Sequence, residues 1–296
     1  MDKIFVSIAS YRDQELLDTV FSILKHAKNP KRLFLSIFSQ DENHPNLEHL
    51  FSLFNIKEYS YKKIHYSDAR GVGYARAETQ KPLNSTYKYY LQVDSHTQFI
   101  QDWDDKIVDH YEKAIGYWGN LIFTAYPGTY EYTETGNLKF ATSLVPSCLR
   151  IQPAEPNSPI RFEPKYKEYV GGDIGEFHGY FCAGLAFGYA QYFIDVPYDD
   201  QIYFNGEEQT LAIRFYCKDI KLVAPPYNYC FHHYTGLKRL RHWQNNETWK
   251  KYDDIGIQRL NDFFDYKLDA TYGISNKEKY HMWQFCFVTP RPTEGT

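Results

Sequence analysis

The chain has 296 residues, of which 43% are hydrophobic and 24% charged, with a formal net charge of −4. That is enough to bury a substantial core as one large domain or two small ones, and the charge supplies no global field for nucleic acid. No stretch approaches the roughly 18 to 20 apolar residues of a membrane span, so no membrane partner is expected. The five cysteines are scattered, with no C-x-x-C pair. They suggest neither a disulfide framework nor a thiolate zinc site, and a reducing, cytoplasmic setting is the expectation. The 28 Tyr and 21 Phe suit stacking on sugars or bases, although AT-rich coding would produce the same excess.

The opening MDKIFVSIASYRD is too short for a signal peptide before it meets Arg12-Asp13, and reads as a first strand. Ser10-x-x-Asp13 resembles a helix start ahead of QELLDTVFSILKHA, whose Leu16, Leu17, Val20, Phe21, Ile23 and Leu24 form an apolar face. RLFLSIFS is a second strand, NLEHLFSLF a short helix and KKIHYS a third strand. After DARGVG comes a polar helix, YARAETQKPL, and then KYYLQV, which delivers Asp94. This βαβ rhythm predicts a mostly parallel sheet flanked by helices.

Residues 126–180 lose periodicity and read as a long functional excursion. Order returns with FCAGLAF, the helical EEQTLAIRFYC, and the strands IKLVAP and NYCFHHY. A basic patch, LKRLRHW, follows. Residues 1–240 are expected as the main domain and 241–296 as a C-terminal extension, with TPRPTEGT a frayed tail.

In open parallel sheets ligands sit at the carboxyl ends of strands. Three polar clusters fall there: Ser10-Tyr11-Arg12, Asp68-Ala69-Arg70-Gly71 and Asp94-Ser95-His96. Asp94 and His96, two apart, would share one face of an ideal strand and offer two legs of a divalent metal site. An oxygen-plus-nitrogen set suits Mn²⁺, Mg²⁺ or Zn²⁺. His232 or His233 could supply the third leg. Gly71 and Gly73 between Arg70 and Arg76 suit approach to a phosphate, and Asp68 could accept from a base or ribose. Alone, each cluster is as readily a solvated loop. Glu207 and Glu208 open a helix, where acids complement the dipole; one of them entering the cleft would hold a sugar hydroxyl or the acceptor.

Taken together in chain order, A-R-G-x-x-Y-A-R, L-Q-V-D-S-H, W-D, V-P-Y-D, F-x-G-E-E, R-F-Y and H-x-Y, from about Phe5 to Tyr234, resemble the cytoplasmic hydroxyproline N-acetylglucosaminyltransferases. More distantly they are similar to the polypeptide GalNAc-transferases. The resemblance implies a GT-A (Rossmann-like) fold and a retaining hexosyltransferase that uses a UDP-sugar donor and a divalent metal, Mn²⁺ before Mg²⁺. It implies Asp94, His96 and His232 as metal ligands, with His232 preferred to His233. Arg70 and Arg76 match its donor-side arginines and Glu207 its cleft-facing acid. The SIASYRD turn, Ser7 to Asp13 and so including Ser10, Tyr11 and Arg12, matches the segment facing uridine, and Trp103-Asp104 its structural W-D pair. Val72-Gly73 stands where those enzymes tend to have Pro-Cys. A protein or saccharide acceptor ranks above hydroxymethylated DNA, and the residue pattern also admits a metal-dependent hydrolase on the same ligands.

Overall fold

A computed structural model describes residues 2–141, 147–151, 160, 162–165, 172–235 and 240–288. The first half runs β1 (Ile4–Tyr11), α1 (Leu16–His26), β2 (Leu33–Gln40), α2 (Leu47–Leu53), β3 (Tyr59–Ile64), α3 (Val72–Gln80) and β4 (Tyr89–Asp94). It continues with β5 (Thr97–Phe99), α4 (Trp103–Trp118), β6 (Leu121–Thr124), β7 (Gly128–Tyr132), β8 (Leu138–Phe140), β9 (Cys148–Ile151) and β10 (Phe162–Lys165). The remainder is β11 (Glu176–Phe177), β12 (Leu185–Tyr189), α5 (Ala190–Asp195), α6 (Glu207–Cys217), β13 (Lys221–Ala224), β14 (Cys230–His232), α7 (His242–Asn245), α8 (Trp249–Phe264) and α9 (Lys277–Phe287).

Eight strands form the central sheet in the order β11-β13-β6-β12-β4-β1-β2-β3. β3, β2, β1 and β4 are mutually parallel, while β12 enters antiparallel between β4 and β6. A smaller sheet, β5-β14-β7-β8, stands beside it. This is the mixed α/β, GT-A architecture expected from the sequence.

The central strands are near-continuous apolar runs because both sheet faces are covered. One face buries Val6, Ile8, Leu91 and Val93 against α1 and α4; the other buries Phe5, Tyr90 and Ile122 against α5 and α6. On α1, Leu16, Val20, Ile23 and Leu24 are buried, whereas Leu17 and Phe21 stay exposed. The third strand lies earlier than KKIHYS suggests: His65 leaves the sheet, and Tyr66–Asp68 form a 3₁₀ turn. Trp103 is buried with its indole N–H on the Ile23 carbonyl at 3.0 Å, and Asp104 accepts the Lys28 and Asn29 amides at 2.7 and 3.2 Å, so the W-D pair splices α4 to the end of α1. Residues 241–288 pack into the main body. Phe263, Tyr280 and Trp283 join the same buried cluster as Tyr90 and Phe215, and the Trp283 indole donates to the Gly179 carbonyl at 3.0 Å. The tail 289–296 and part of the basic patch, 237–239, lie outside the described residues, as does much of 142–171. No helix among the described residues is long and apolar enough to cross a membrane.

Candidate active site

The order of the central sheet reverses between β1 and β4: β2 and β3 lie on one side of β1, and β4 on the other. A crevice opens at such a switch point. Asp94, the last residue of β4, is in register with Ala9, so it sits beside Ser10 and Tyr11. The chain then bends through Ser95 and His96 into β5 of the smaller sheet. Thr19 pins the bend from α1: its hydroxyl donates to the Ser95 carbonyl at 2.8 Å and accepts the Thr97 amide at 2.8 Å.

β14 pairs antiparallel with β5 and sets His232 opposite Thr97. Alternation along the strand then separates the two adjacent histidines. His232 Nε2 lies 3.1 Å from Asp94 Oδ2, while His233 turns away to place Nδ1 2.6 Å from Glu15 Oε1. His96 and His232 stack edge to face, with ring centres 4.4 Å apart. One ligand atom from each of Asp94, His96 and His232 lies within 4.8 Å of the other two. A carboxylate and two imidazoles meeting from two sheets fit a divalent ion that takes mixed oxygen and nitrogen ligands.

Asp94 also joins a charged chain across the cleft floor. Its Oδ1 accepts from Arg76 Nη2 at 3.0 Å, and Arg76 Nη1 donates to Glu207. Burial alone would raise the Asp94 pKa. The His232 hydrogen bond, the Arg76 charge and the nearby histidines outweigh it and hold the carboxyl far below the usual range. Burial raises Glu207 against the opposing pull of Arg76, and its buried Oε2 has no hydrogen-bond partner. Glu208 is raised by burial and by the neighbouring Glu207, and its Oε1 accepts the Ala183 amide at 2.8 Å. The two glutamates thus diverge, one toward Arg76 and the other toward the start of β12.

A cleft of about 760 Å³ lies over Asp94, lined in part by Ser10, Tyr11, Gly71, Arg76, Ser95 and His96. A smaller chamber of about 300 Å³ continues past Asp94, Arg76 and His232 to Glu207 and Glu208. Three expected donor-side residues are not among those lining the cleft. Arg12, at φ 46°, lays its guanidinium over the Tyr66 ring at 4.1 Å; Arg70 is exposed over Tyr74 at 5.0 Å; Asp68 is exposed in the 3₁₀ turn. Arg76 reaches the cleft, but both terminal nitrogens are engaged by carboxylates. The glycines of ARGVG serve close packing. A Cβ on Gly71 would sit 2.4 Å from the Tyr203 carbonyl, one on Gly73 would sit 2.1 Å from that of Ile202, and the Val72 amide donates to the Tyr203 carbonyl at 2.9 Å.

Two groups of residues at the site escape the sequence reading. One is the far wall: His242, Trp243 and Trp249 line the cleft with Tyr203. The Tyr11 hydroxyl donates to Asn245 Oδ1 at 2.6 Å, and His242 bridges the Tyr203 hydroxyl and the Ala69 carbonyl at 2.7 and 3.1 Å. In sequence His242 and Trp243 show only as the end of a basic patch, and Trp249 as part of the C-terminal extension. The other is the contact made by Asp13, which reads only as a helix-start residue at the end of the SIASYRD turn. It does accept the Glu15 amide at 3.0 Å, but it also accepts from Ser95 Oγ at 2.7 Å and lies 2.6 Å from His96 Nδ1.

The sheet order, the switch-point crevice and the carboxylate–imidazole cluster at its floor define a GT-A glycosyltransferase fold. A family model described as Glycosyltransferase (GlcNAc) matches residues 3–51 and 41–283, and the chain belongs to that family. Among solved structures, it is similar to GalNAc-T7 crystallised with UDP, GalNAc and Mn²⁺, at TM-score 0.53 and 14% identity over 97% of this chain and 54% of that one. S. aureus TarS is similar at TM-score 0.51 and 11% identity, over 91% of this chain and 41% of that one. A TarS fragment, residues 1–349, gives 0.50 and 12%, over 97% and 73%. The chain therefore spans about half the length of the GalNAc-T7 structure. No curated protein matches.

Proposed function

We propose that this protein is a divalent-metal-dependent glycosyltransferase that moves a GlcNAc-like hexose from a UDP-sugar to an acceptor hydroxyl, with retention of configuration. One observation carries the reading: Asp94, His96 and His232 converge at the floor of a switch-point cleft. The family supports sugar transfer, and the Mn²⁺ and UDP bound to GalNAc-T7 support the donor and metal classes. Residues Ser10, Tyr11, Gly71 and Ser95 would border the nucleotide. A bound Mn²⁺ or, second, Mg²⁺ would supply Lewis-acid neutralisation of the diphosphate as it leaves.

The protein's own groups do the rest. Arg76 holds Asp94 by one oxygen, so that the other faces His232. Glu207, steadied by Arg76 on one oxygen, offers the unpartnered Oε2 to a sugar or acceptor hydroxyl. Glu208, raised by burial and by Glu207, keeps one oxygen on the Ala183 amide, and retention is taken from the resemblance in sequence. In that case the departing phosphate takes the acceptor proton on the same face. The acceptor is a protein or saccharide hydroxyl, in keeping with a net charge of −4 and an aromatic rim where Phe204 packs against Trp243. A hydroxyproline is one such acceptor, on the resemblance in sequence.

The test is UDP release across a panel of UDP-sugars with and without Mn²⁺, with and without acceptor-bearing lysate. Asp94→Ala and His232→Ala are expected to abolish the Mn²⁺-dependent rate while the protein stays folded. Normal turnover in either variant would remove those ligands. Donor hydrolysis unaltered by any acceptor would favour a hydrolase.

A further inference from the structure

The turn between β1 and α1 carries a buried carboxylate that the proposed chemistry has not used. Asp13 is 5% exposed and lies against His96 Nδ1. It receives the Ser95 hydroxyl at 2.7 Å and the Glu15 amide at 3.0 Å, and lies 2.6 Å from His96 Nδ1. A carboxylate can only accept, so the short contact requires Nδ1–H on the imidazole, leaving the Nε2 lone pair free to act as a ligand. The Ser95 and Glu15 donors fix the carboxylate in turn, and the left-handed Arg12 just before it (φ 46°) turns the chain to bring it there.

A second acid–imidazole pair stands on the same turn and provides an internal contrast. Glu15 holds His233 Nδ1 at 2.6 Å through one oxygen and accepts the Tyr130 hydroxyl through the other. His233 follows the end of β14, and neither it nor Glu15 is among the three candidate ligands. Both are part-buried acid–imidazole contacts, but only in the first is the imidazole itself a candidate ligand; His233 reaches the cluster through its backbone amide, which donates to the His96 carbonyl at 3.1 Å.

We infer that Asp13 is a positioning residue for the metal site, setting the tautomer and orientation of His96 so that Nε2 meets the ion. The inference rests on the metal-dependent reading above. Carboxylates that hold a ligating histidine from behind typically contribute 10–100-fold in metal affinity. It acts through His96 and touches neither donor nor acceptor.

The experiment is Mn²⁺ titration of the full chain, reading free Mn²⁺ by electron paramagnetic resonance, with thermal unfolding in EDTA to verify folding. Asp13→Ala is expected to weaken Mn²⁺ binding roughly 10–100-fold. Asp13→Asn, which keeps an acceptor oxygen but loses the charge, should weaken it less. Turnover of Asp13→Ala should recover as Mn²⁺ is raised, a rescue that a purely structural defect would not show. Glu15→Gln should lower stability and leave Mn²⁺ affinity within about twofold. If the Asp13 variants fail to fold, Ser95→Ala, which unfastens the same carboxylate, carries the test through a several-fold loss of affinity. Wild-type affinity in folded Asp13→Ala, or in Ser95→Ala where that variant is needed, overturns the assignment alone. A wild-type protein that binds no Mn²⁺ overturns the metal reading and this assignment with it.

Discussion

Arg76 is the residue on which the site's charges balance. It is buried with one carboxylate on each terminal nitrogen, so removing it would strand both Asp94 and Glu207. Breaking a buried pair costs more than the pair contributes, because the remaining charge stays desolvated. We expect Arg76→Met, compared with wild type in EDTA at pH 7, to lose about 3–5 kcal/mol in urea denaturation. A loss below about 1 kcal/mol would mean that the acids simply take up protons and that Arg76 does not organise the cleft floor. Arg76 shows why a motif identifies a residue more readily than its task. A-R-G-x-x-Y-A-R reads as a pair of donor-side arginines, but a string of residue types does not contain the distance to Glu207, 131 positions away.

At the level of elements, the stretch joining β11 to β12 is held by a histidine in its neutral form. His178 is buried, with Nε2 2.9 Å from the Thr124 carbonyl on β6 and Nδ1 accepting the Tyr180 amide at 3.0 Å. One nitrogen donates and the other accepts, so protonation would face a donor with a donor. Burial lowers its pKa from 6.5 to about 4. The unfolded chain takes up this proton below about pH 6.5 and the folded chain only near pH 4. Stability is therefore full above pH 6.5 and falls as pH drops between those values, by at most about 3 kcal/mol from this group. Urea midpoints from pH 7 to pH 4.5 should show that decline, and His178→Gln should flatten it. Equal slopes in the two proteins would relieve His178 of the role. The same scale accounts for the split fate of the adjacent histidines: alternation at the end of β14 sends His232 to Asp94 and His233, just past it, to Glu15.

For the whole molecule, the proposed ion would join β4, the β4–β5 bend and β14, elements drawn from the two sheets. An ion that binds only the folded chain stabilises it by mass action, by about 2.7 kcal/mol at a concentration 100 times its dissociation constant. Thermal unfolding should thus shift upward with added Mn²⁺, and the shift should vanish in His232→Ala. A shift that persists in His232→Ala would place the binding elsewhere. The far wall of the cleft is another product of the whole molecule: α7 and the start of α8 return to the donor side through Tyr11–Asn245 and His242–Ala69, and α9 seals the opposite core with Trp283.

The order of strands and helices through β4, the later β12, α6, β13 and β14, the polar clusters at the strand ends and the string of family motifs were legible in the residues themselves, whereas α4 and the strands of 126–180 were not. Each depends on local periodicity or on short spacing, which a linear chain carries directly. Asp94, His96 and His232 could be named from that string, although two residues of spacing on an ideal strand is not the geometry that unites Asp94 and His96. The strand ends at Asp94, and a bend between two sheets brings the pair toward His232. Tertiary structure alone decided the rest. Gly71 and Gly73 make room for the 199–203 backbone, Arg12 and Arg70 lie over tyrosine rings, and Asp13 meets His96 Nδ1. Those outcomes depend on which surfaces meet after the sheet has closed, and contacts between residues tens to hundreds of positions apart leave no period in the sequence.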